Sequence, residues 1–514
     1  MKVLKSLVKL LFHRVVIVGV AILLQAAYFI ILLSKFQEFF AFSYGILMLL
    51  SVAVVLHLIN DRSNPAYKLA WIIPILTFPI FGGLFYVMFG HSHLSKRQKN
   101  EMHEIGQQIF AVMPDRTPNL DRLKEENPVA GLQAQYIYRF GHAPLCRNTS
   151  TEYLPLGEIK FQRMKEELQK AQHYIFLEYF IIEEGKMWNE ILEILREKAA
   201  AGVDVRVIYD DIGSMMTLPY GYDRKLESMG IKCCVFNPLV PILSTRFNNR
   251  DHRKICVIDG WVGFTGGINL ADEYINAVVK HGHWKDTAIL LKGEAVWNLT
   301  VMFLSLWSFL RHTQDHYESF RPHVHQPEPI VSQGYVQPFG DIPLDNEAVG
   351  ETVYLNLINK AQRYVHITSP YLIIDNEMVT ALSNAAKSGV DVRIITPHIA
   401  DKFYVHAVTR AYYETLLEAG VRIFEYTPGF IHAKTFVVDD EYAVVGTINL
   451  DYRSLYLHFE CGCWMYQTPS VLQVRDDFLL TQGKSQEITL ATARNINWLQ
   501  RLGRSILRAF APLM

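Results

Sequence analysis

The chain has 514 residues, half of them hydrophobic and 20% charged, with a formal net charge of −1. That length exceeds one ordinary core and predicts about three domains. Near-neutrality excludes an overall polyelectrolyte attraction to nucleic acid, so an anionic ligand must be held by local basic groups. The six cysteines are Cys146, Cys233, Cys234, Cys256, Cys461 and Cys463. They fit neither a disulfide framework nor the usual zinc spacing, and predict reduced, structural thiols.

The apolar excess lies at the start. Residues 15–34 and 39–60 are long apolar runs, and 69–89 is a third, interrupted by Pro74, Pro79 and Gly82-Gly83. Each is long enough to cross a bilayer, which takes roughly 20 residues. Lys2, Lys5, Lys9 and Arg14 precede the first run and predict a cytoplasmic N-terminus. The prolines and glycines allow the third run to re-enter or lie along the interface, which keeps the catalytic region cytoplasmic. The expected organisation is a helical membrane anchor over 1–95, a polar linker over 96–130, a first lobe over 131–330 and a second over 331–514.

The two lobes follow from an internal repeat. Lys170-Ala171-Gln172 returns as Lys360-Ala361-Gln362, and Gly202-Val-Asp-Val-Arg206 as Gly389-Val-Asp-Val-Arg393. β-rich runs at 175–182 and 203–209 bracket a helical pattern over 189–201. The series recurs at 365–374, 378–388 and 390–396. Alternating strands and helices predict an α/β sheet covered by helices in each half.

Each half then carries the same motif. His252-x-Lys254, four residues, Asp259 and a downstream Gly266-Gly267-x-Asn269 match His432-x-Lys434, four residues, Asp439 and Gly446-Thr447-x-Asn449. Residues 254–259 and 434–439 read as strands, whose alternation puts His and Lys on one face. The glycines that follow allow close backbone approach to an anion. A neutral imidazole can attack phosphorus and form a phosphohistidine. A second imidazole can protonate the leaving alkoxide and later deprotonate the acceptor. Two lysines and two asparagines can hold the non-bridging oxygens. This chemistry needs neither metal nor cofactor. Asp259 and Asp439 complete the motif and count among the catalytic candidates, but their distance along the strand favours a structural role.

These paired motifs resemble the phospholipase D superfamily. Within it, residues 250–260, 264–269, 272–274, 429–441 and 445–454 are similar to bacterial cardiolipin synthases, as are Asn64-Pro65, Ala70-Trp71 and Gly82-Gly83 in the N-terminal segment. The resemblance implies two phospholipase D-like lobes related by pseudo-two-fold symmetry, with one site between them. It implies phosphatidyl transfer between two phosphatidylglycerol molecules, giving cardiolipin and glycerol. A membrane-bound phospholipase D releasing phosphatidic acid is the alternative, because the motifs do not decide whether water or a lipid hydroxyl is the acceptor. By analogy His252 is the nucleophile and His432 the acid and base, although near-symmetric halves leave that order open. Asp286 and Glu460 match the carboxylates that orient the histidines, Asp286 on His252 and Glu460 on His432. His458 stands where the pattern has asparagine. The expected partners are phosphatidylglycerol and anionic membrane lipids, with no nucleic acid. From 494 to 514, apolar positions alternate with Arg494, Arg501, Arg504 and Arg508. That pattern suits either an amphipathic helix on an anionic leaflet or one packed on the catalytic core.

Overall fold

The computed structural model describes residues 40–61, 64–90, 113, 117–239, 248–313, 315–321, 330–345 and 347–513, with scattered positions between 16 and 31. The apolar run 15–34 lies for the most part outside the described residues.

The next two runs form three helices, Phe40–Asn60, Pro65–Thr77 and Pro79–Phe89. Pro79 disfavours helical geometry at the residue before it, and Phe78 accordingly leaves the helix at φ −127°, ψ 69°. The run 69–89 is therefore two helices. Its glycine pair serves packing: a Cβ on Gly82 would collide with the Ile75 backbone, and one on Gly83 with Ser51. No helix among the described residues is long and apolar enough to cross a membrane, so the expected spans are not confirmed.

Asn64 ties this segment to the second lobe. Its Oδ1 caps the helix by accepting from the Ala66 N–H, and its Nδ2 donates to Asp375 and to the Tyr456 hydroxyl, both at 3.0 Å. The stretch expected as a linker ends in a helix, Thr117–Glu126, because Leu120 and Leu123 have a core to enter. The next helix, Pro128–Phe140, lies at the start of the expected first lobe but packs on the second lobe's core through Ala130, Ala134 and Ile137. Its Gln133 also donates to the Val353 carbonyl at 3.1 Å.

The first lobe contributes β1 (Thr149–Leu154), β2 (Tyr174–Tyr179), β3 (Asp204–Asp210), β4 (Lys232–Phe236), β5 (Lys254–Ile258), β6 (Val262–Gly266), β7 (His283–Lys285) and β8 (Ala288–Gly293). Seven of these form one sheet in the order β1-β8-β6-β5-β2-β3-β4. The second lobe contributes β9 (Tyr335–Asp341), β10 (Tyr364–Thr368), β11 (Leu372–Ile373), β12 (Asp391–Pro397), β13 (Arg422–Tyr426), β14 (Gly429–Ile431), β15 (Thr435–Val438), β16 (Tyr442–Gly446), β17 (Leu450–Asp451), β18 (Glu460–Tyr466) and β19 (Ser485–Ile488). Its main sheet runs β19-β13-β12-β10-β15-β16-β18-β9. The shared part has the same plan in both: parallel pairs at β2-β3-β4 and β10-β12-β13, then antiparallel motif strands. The repeat read in the sequence is thus a repeat of topology.

A buried apolar layer joins the lobes. Ile255, Val257, Ile289 and Leu291 of the first share one cluster with Val437, Ala443, Val445 and Met465 of the second. All six cysteines are free and buried.

Candidate active site

The motif strands present His252 and His432 at the junction of the lobes, and short pairings between lobes decide their surroundings. The His252 N–H donates to the Phe459 carbonyl at 2.9 Å, and the Phe459 N–H to the Arg250 carbonyl at 2.8 Å. This seats the start of β18, and hence Glu460, against His252. On the other side β14 pairs in parallel with β7, and the His432 N–H donates to the Lys285 carbonyl at 2.7 Å. That seats Asp286 against His432.

The carboxylates therefore cross. Glu460 lies 2.8 Å from His252 Nδ1, and Asp286 Oδ2 lies 2.7 Å from His432 Nδ1. The expected assignment, Asp286 on His252 and Glu460 on His432, is corrected. Each carboxylate stands beside its own lobe's motif in the sequence, but the strand pairings above carry it across the junction. With Nδ1–H donating to a carboxylate, each ring presents its Nε2 lone pair.

The residues around the two rings differ. Gly267 leaves room for Asp286, since a Cβ there would collide with the carboxylate. Thr447, its counterpart, donates through Oγ1 to Glu460. The glycine expected to admit an anion thus admits a carboxylate. Phe180 lies edge-on to His252 at 5.1 Å, and Tyr274 and Trp284 flank His432 at 5.6 Å each.

Lys254 and Lys434 are buried, and each Nζ donates to the carbonyl of its motif histidine. Burial lowers Lys254 to about 8 and Lys434 to about 7. Burial also holds both imidazoles neutral. His252 falls well below the ordinary value, helped by the positive charges of Lys254 and Lys434, and His432 falls to about 4. Glu460 is pushed by burial up to about 8, while the charge of Lys254 and the Thr447 hydroxyl draw it back toward the carboxylate. The charge of Lys434 bears on His252 and that of Lys254 on His432, so the two motifs converge on one centre.

The other expected residues divide. Asn269 is engaged: its Oδ1 accepts from the Ile181 N–H at 3.0 Å and its Nδ2 donates to the Tyr274 hydroxyl at 2.7 Å. Asn449 is buried beside the motif with no partner for Oδ1. Asp259 and Asp439 lie at the far ends of β5 and β15, away from the histidines. Asp259 accepts the N–H groups of Gln172, His173 and Tyr174, all at 2.8 Å, and Asp439 those of Gln362, Arg363 and Tyr364 at 2.7–2.9 Å. Both adopt positive φ, 51° and 55°. They pin the start of β2 and β10 and touch no reacting group.

Sequence reasoning missed the brace beneath His252. Arg250 is buried and forks onto Asp210 at 2.7 Å, while Asp210 also accepts the Asp251 N–H at 3.1 Å. Arg250-Asp-His252 is visible in the sequence, but nothing there marks Asp210 as its partner. His458 stands 3.9 Å from Glu460 with both ring nitrogens buried and without hydrogen-bond partners. His252, His458 and Glu460 form the one cluster of metal-ligand type among the described residues, with ligand atoms within 4.8 Å. The positive charges of Arg453, Lys254, Arg250 and Lys402 bear on His458, which suits an anion better than a cation there.

Comparison with known proteins points to one family. The family model "Cardiolipin synthase, PLD-like domain" matches residues 164–307 and 354–480, and "Phospholipase_D-nuclease N-terminal" matches 49–91. A cardiolipin synthase of Geobacillus thermodenitrificans is 36% identical over 479 residues, covering 92% of this chain and 94% of the relative. One from Halalkalibacterium halodurans is 33% identical over 486 residues, 94% of this chain and 96% of the relative. An uncharacterized protein of Streptococcus mutans is 46% identical over 464 residues, 90% of this chain and all of the relative. The crystal structure of a phosphatidylserine synthase from Haemophilus influenzae shares the fold at a TM-score of 0.55 and 16% identity, over 74% of this chain and 97% of that one. The chain belongs to the cardiolipin synthase family of phospholipase D-like proteins.

Proposed function

We propose that the chain is a cardiolipin synthase that transfers a phosphatidyl group between two phosphatidylglycerol molecules through a phosphohistidine. One observation carries this reading: two buried neutral imidazoles, each held at Nδ1 by a carboxylate from the opposite lobe, with the two lysines acting on both. In the first step His252 Nε2 attacks the phosphorus of the donor, and the bond to its glycerol oxygen breaks. His432, protonated as the anionic headgroup enters, gives that proton to the departing glycerol. In the second step His432 takes the proton of the second lipid's primary hydroxyl. The alkoxide attacks phosphorus, the P–N bond breaks, and cardiolipin leaves. Two phosphatidylglycerols thus give one cardiolipin and one glycerol, and the sequence runs equally well in reverse. Lys254, Lys434 and Asn449 hold the non-bridging oxygens, while Asn269 positions Tyr274 beside His432.

The same reading places the protein in a bacterial plasma membrane as a multi-pass protein with a cytoplasmic catalytic region. The phospholipase D N-terminal family match over 49–91 supports it, as does the C-terminal helix Trp498–Phe510, whose Trp498, Leu499, Leu502 and Ile506 are exposed, Trp498 at 71%. The helix packs on the core through Leu507 and Arg508, and its opposite, exposed apolar face suits a lipid surface.

The test is product analysis. Full-length protein with phosphatidylglycerol micelles and a chelator should release cardiolipin and glycerol in equal amounts. Phosphatidic acid as the sole lipid product would make the protein a hydrolase.

A further inference from the structure

Large apolar side chains are exposed on the segments that leave each sheet at its histidine end. After β12, Ile399, Phe403 and Tyr404 are exposed next to exposed Lys402, with Phe403 at 80%. After β3, the strand in the equivalent position of the other sheet, Met216 and Tyr220 are exposed, Tyr220 at 80%. Both segments are tied to the catalytic centre. Asp401 accepts from the Tyr371 hydroxyl at 2.6 Å, and the charge of Lys402 reaches His458. In the other lobe, Thr217 donates to the Ile182 carbonyl at 2.6 Å and Ser214 to the Phe180 carbonyl at 3.3 Å, and Phe180 is the ring beside His252.

The same side carries the anchor. Asn64, which begins the helix Pro65–Thr77, bonds Tyr456 at the end of the short helix Tyr452–Tyr456, two residues before His458. Exposed Leu69, Ile73 and Leu76 continue along that anchor helix. The C-terminal helix lays Arg508 over Tyr412, 4.4 Å from the ring centroid, on the helix Phe403–Glu418 that begins at the rim itself. Exposed aromatic and aliphatic side chains with a flanking lysine are the composition of a surface that enters the headgroup region of an anionic leaflet.

We propose that the segments after β3 and β12 insert into the anionic bilayer as paired rim loops, one from each lobe, so that the active-site mouth opens directly onto the lipid headgroups. The occupant is the bilayer itself. Phe403 and Tyr220 are buried in the interface, Lys402 meets a headgroup phosphate, and a substrate lipid reaches the histidines by sliding within its leaflet. This proposal rests on the lipid-transferase reading above.

The test uses the full chain in phosphatidylglycerol-containing vesicles. Because all six native cysteines are buried, a polarity-sensitive thiol dye reports selectively on Phe403→Cys and Tyr220→Cys. The control is Lys170→Cys, at the end of the sheet capped by Asp259. Dyes at 403 and 220 should shift to the blue and be quenched by brominated lipids, and the dye at 170 should do neither. The double variant Phe403→Ser/Tyr220→Ser should lose roughly 10²-fold or more of its turnover on vesicles, the scale of two buried aromatic side chains. Its turnover of monomeric short-chain phosphatidylglycerol should stay unchanged. Water-like dyes at both rim positions, or equal losses on both substrates, would overturn the rim proposal. If the wild type makes cardiolipin from neither substrate, the transferase reading itself fails.

Discussion

The two halves of the active site began from one pattern and are now furnished differently. Around His252 the surroundings are mostly polar: Glu460, Thr447 and His458, with the charges of Arg453, Arg250 and Lys402 nearby and Phe180 edge-on. Around His432 they are aromatic, with Tyr274, Trp284 and Phe430. Lys434 Nζ also approaches His432 Nδ1 at 2.8 Å, a contact His252 lacks among the described bonds. The difference teaches that duplication preserved the histidine, the lysine and the crossed carboxylate, which the chemistry needs in both halves. It released the walls around them.

The largest expected effect would show that the halves are unequal in setting but equally required. His252→Ala and His432→Ala should each abolish turnover, by on the order of 10³-fold or more, with unchanged circular dichroism and melting behaviour. Substantial turnover in either variant would mean that one half works alone.

Next come the crossed carboxylates. Glu460→Gln and Asp286→Asn keep the volume but replace a carboxyl oxygen by an amide N–H, which loosens the hold on Nδ1–H, and kcat should fall by roughly 10²-fold or more in each. Proton NMR of the histidine side chains separates them: Glu460→Gln should disturb His252 and leave His432 unchanged, and Asp286→Asn the reverse. The opposite pattern would restore the uncrossed assignment.

The pH profile sharpens the comparison between the lysines. A lowered lysine loses its charge as pH rises, so grip on the phosphate should weaken on the alkaline side. In the free enzyme Lys434 discharges near 7 and Lys254 near 8. kcat/KM, which reports free-enzyme groups, should decline across that window. The acid limb requires a neutral nucleophile, and both imidazoles are lowered, so activity should persist below the ordinary histidine value. Lys434→Met should remove the earlier part of the alkaline decline, and a profile flat to pH 9 would contradict these assignments.

The smallest effect on chemistry belongs to the motif aspartates. Asp259→Asn and Asp439→Asn weaken backbone caps, at about 1–3 kcal/mol of stability each. Turnover per folded molecule should change little. A large kcat loss with an unaltered melting temperature would return these residues to the catalytic group.

Much of this was legible in the sequence, for identifiable reasons. The repeat of strands and the pairing of His252 with His432 were readable because duplication writes itself twice at constant spacing. The structural role of Asp259 followed from counting: five residues along a strand separate it from Lys254, so it points at the other end of the sheet. Which carboxylate served which histidine was not readable. That depends on short strand pairings between lobes, β14 with β7 and Phe459 with residues 250–252, which leave no periodic trace. Asp210 was hidden because it holds Arg250 within the first lobe across forty residues of chain, a contact that no local pattern records. Gly267 was misread because a missing side chain does not say which neighbour needs the space.

The central claim is that two imidazoles serve one phosphorus. Rapid acid quench of the enzyme turning over phosphatidylglycerol labelled at phosphorus tests it most directly, through the phosphatidyl groups bound per chain and the histidine that bears them. The account predicts that bound label never exceeds one group per chain, sits on a single histidine and disappears on chasing with unlabelled lipid as cardiolipin forms. Two labelled histidines per chain, or full turnover with no labelled intermediate at any time, would contradict it.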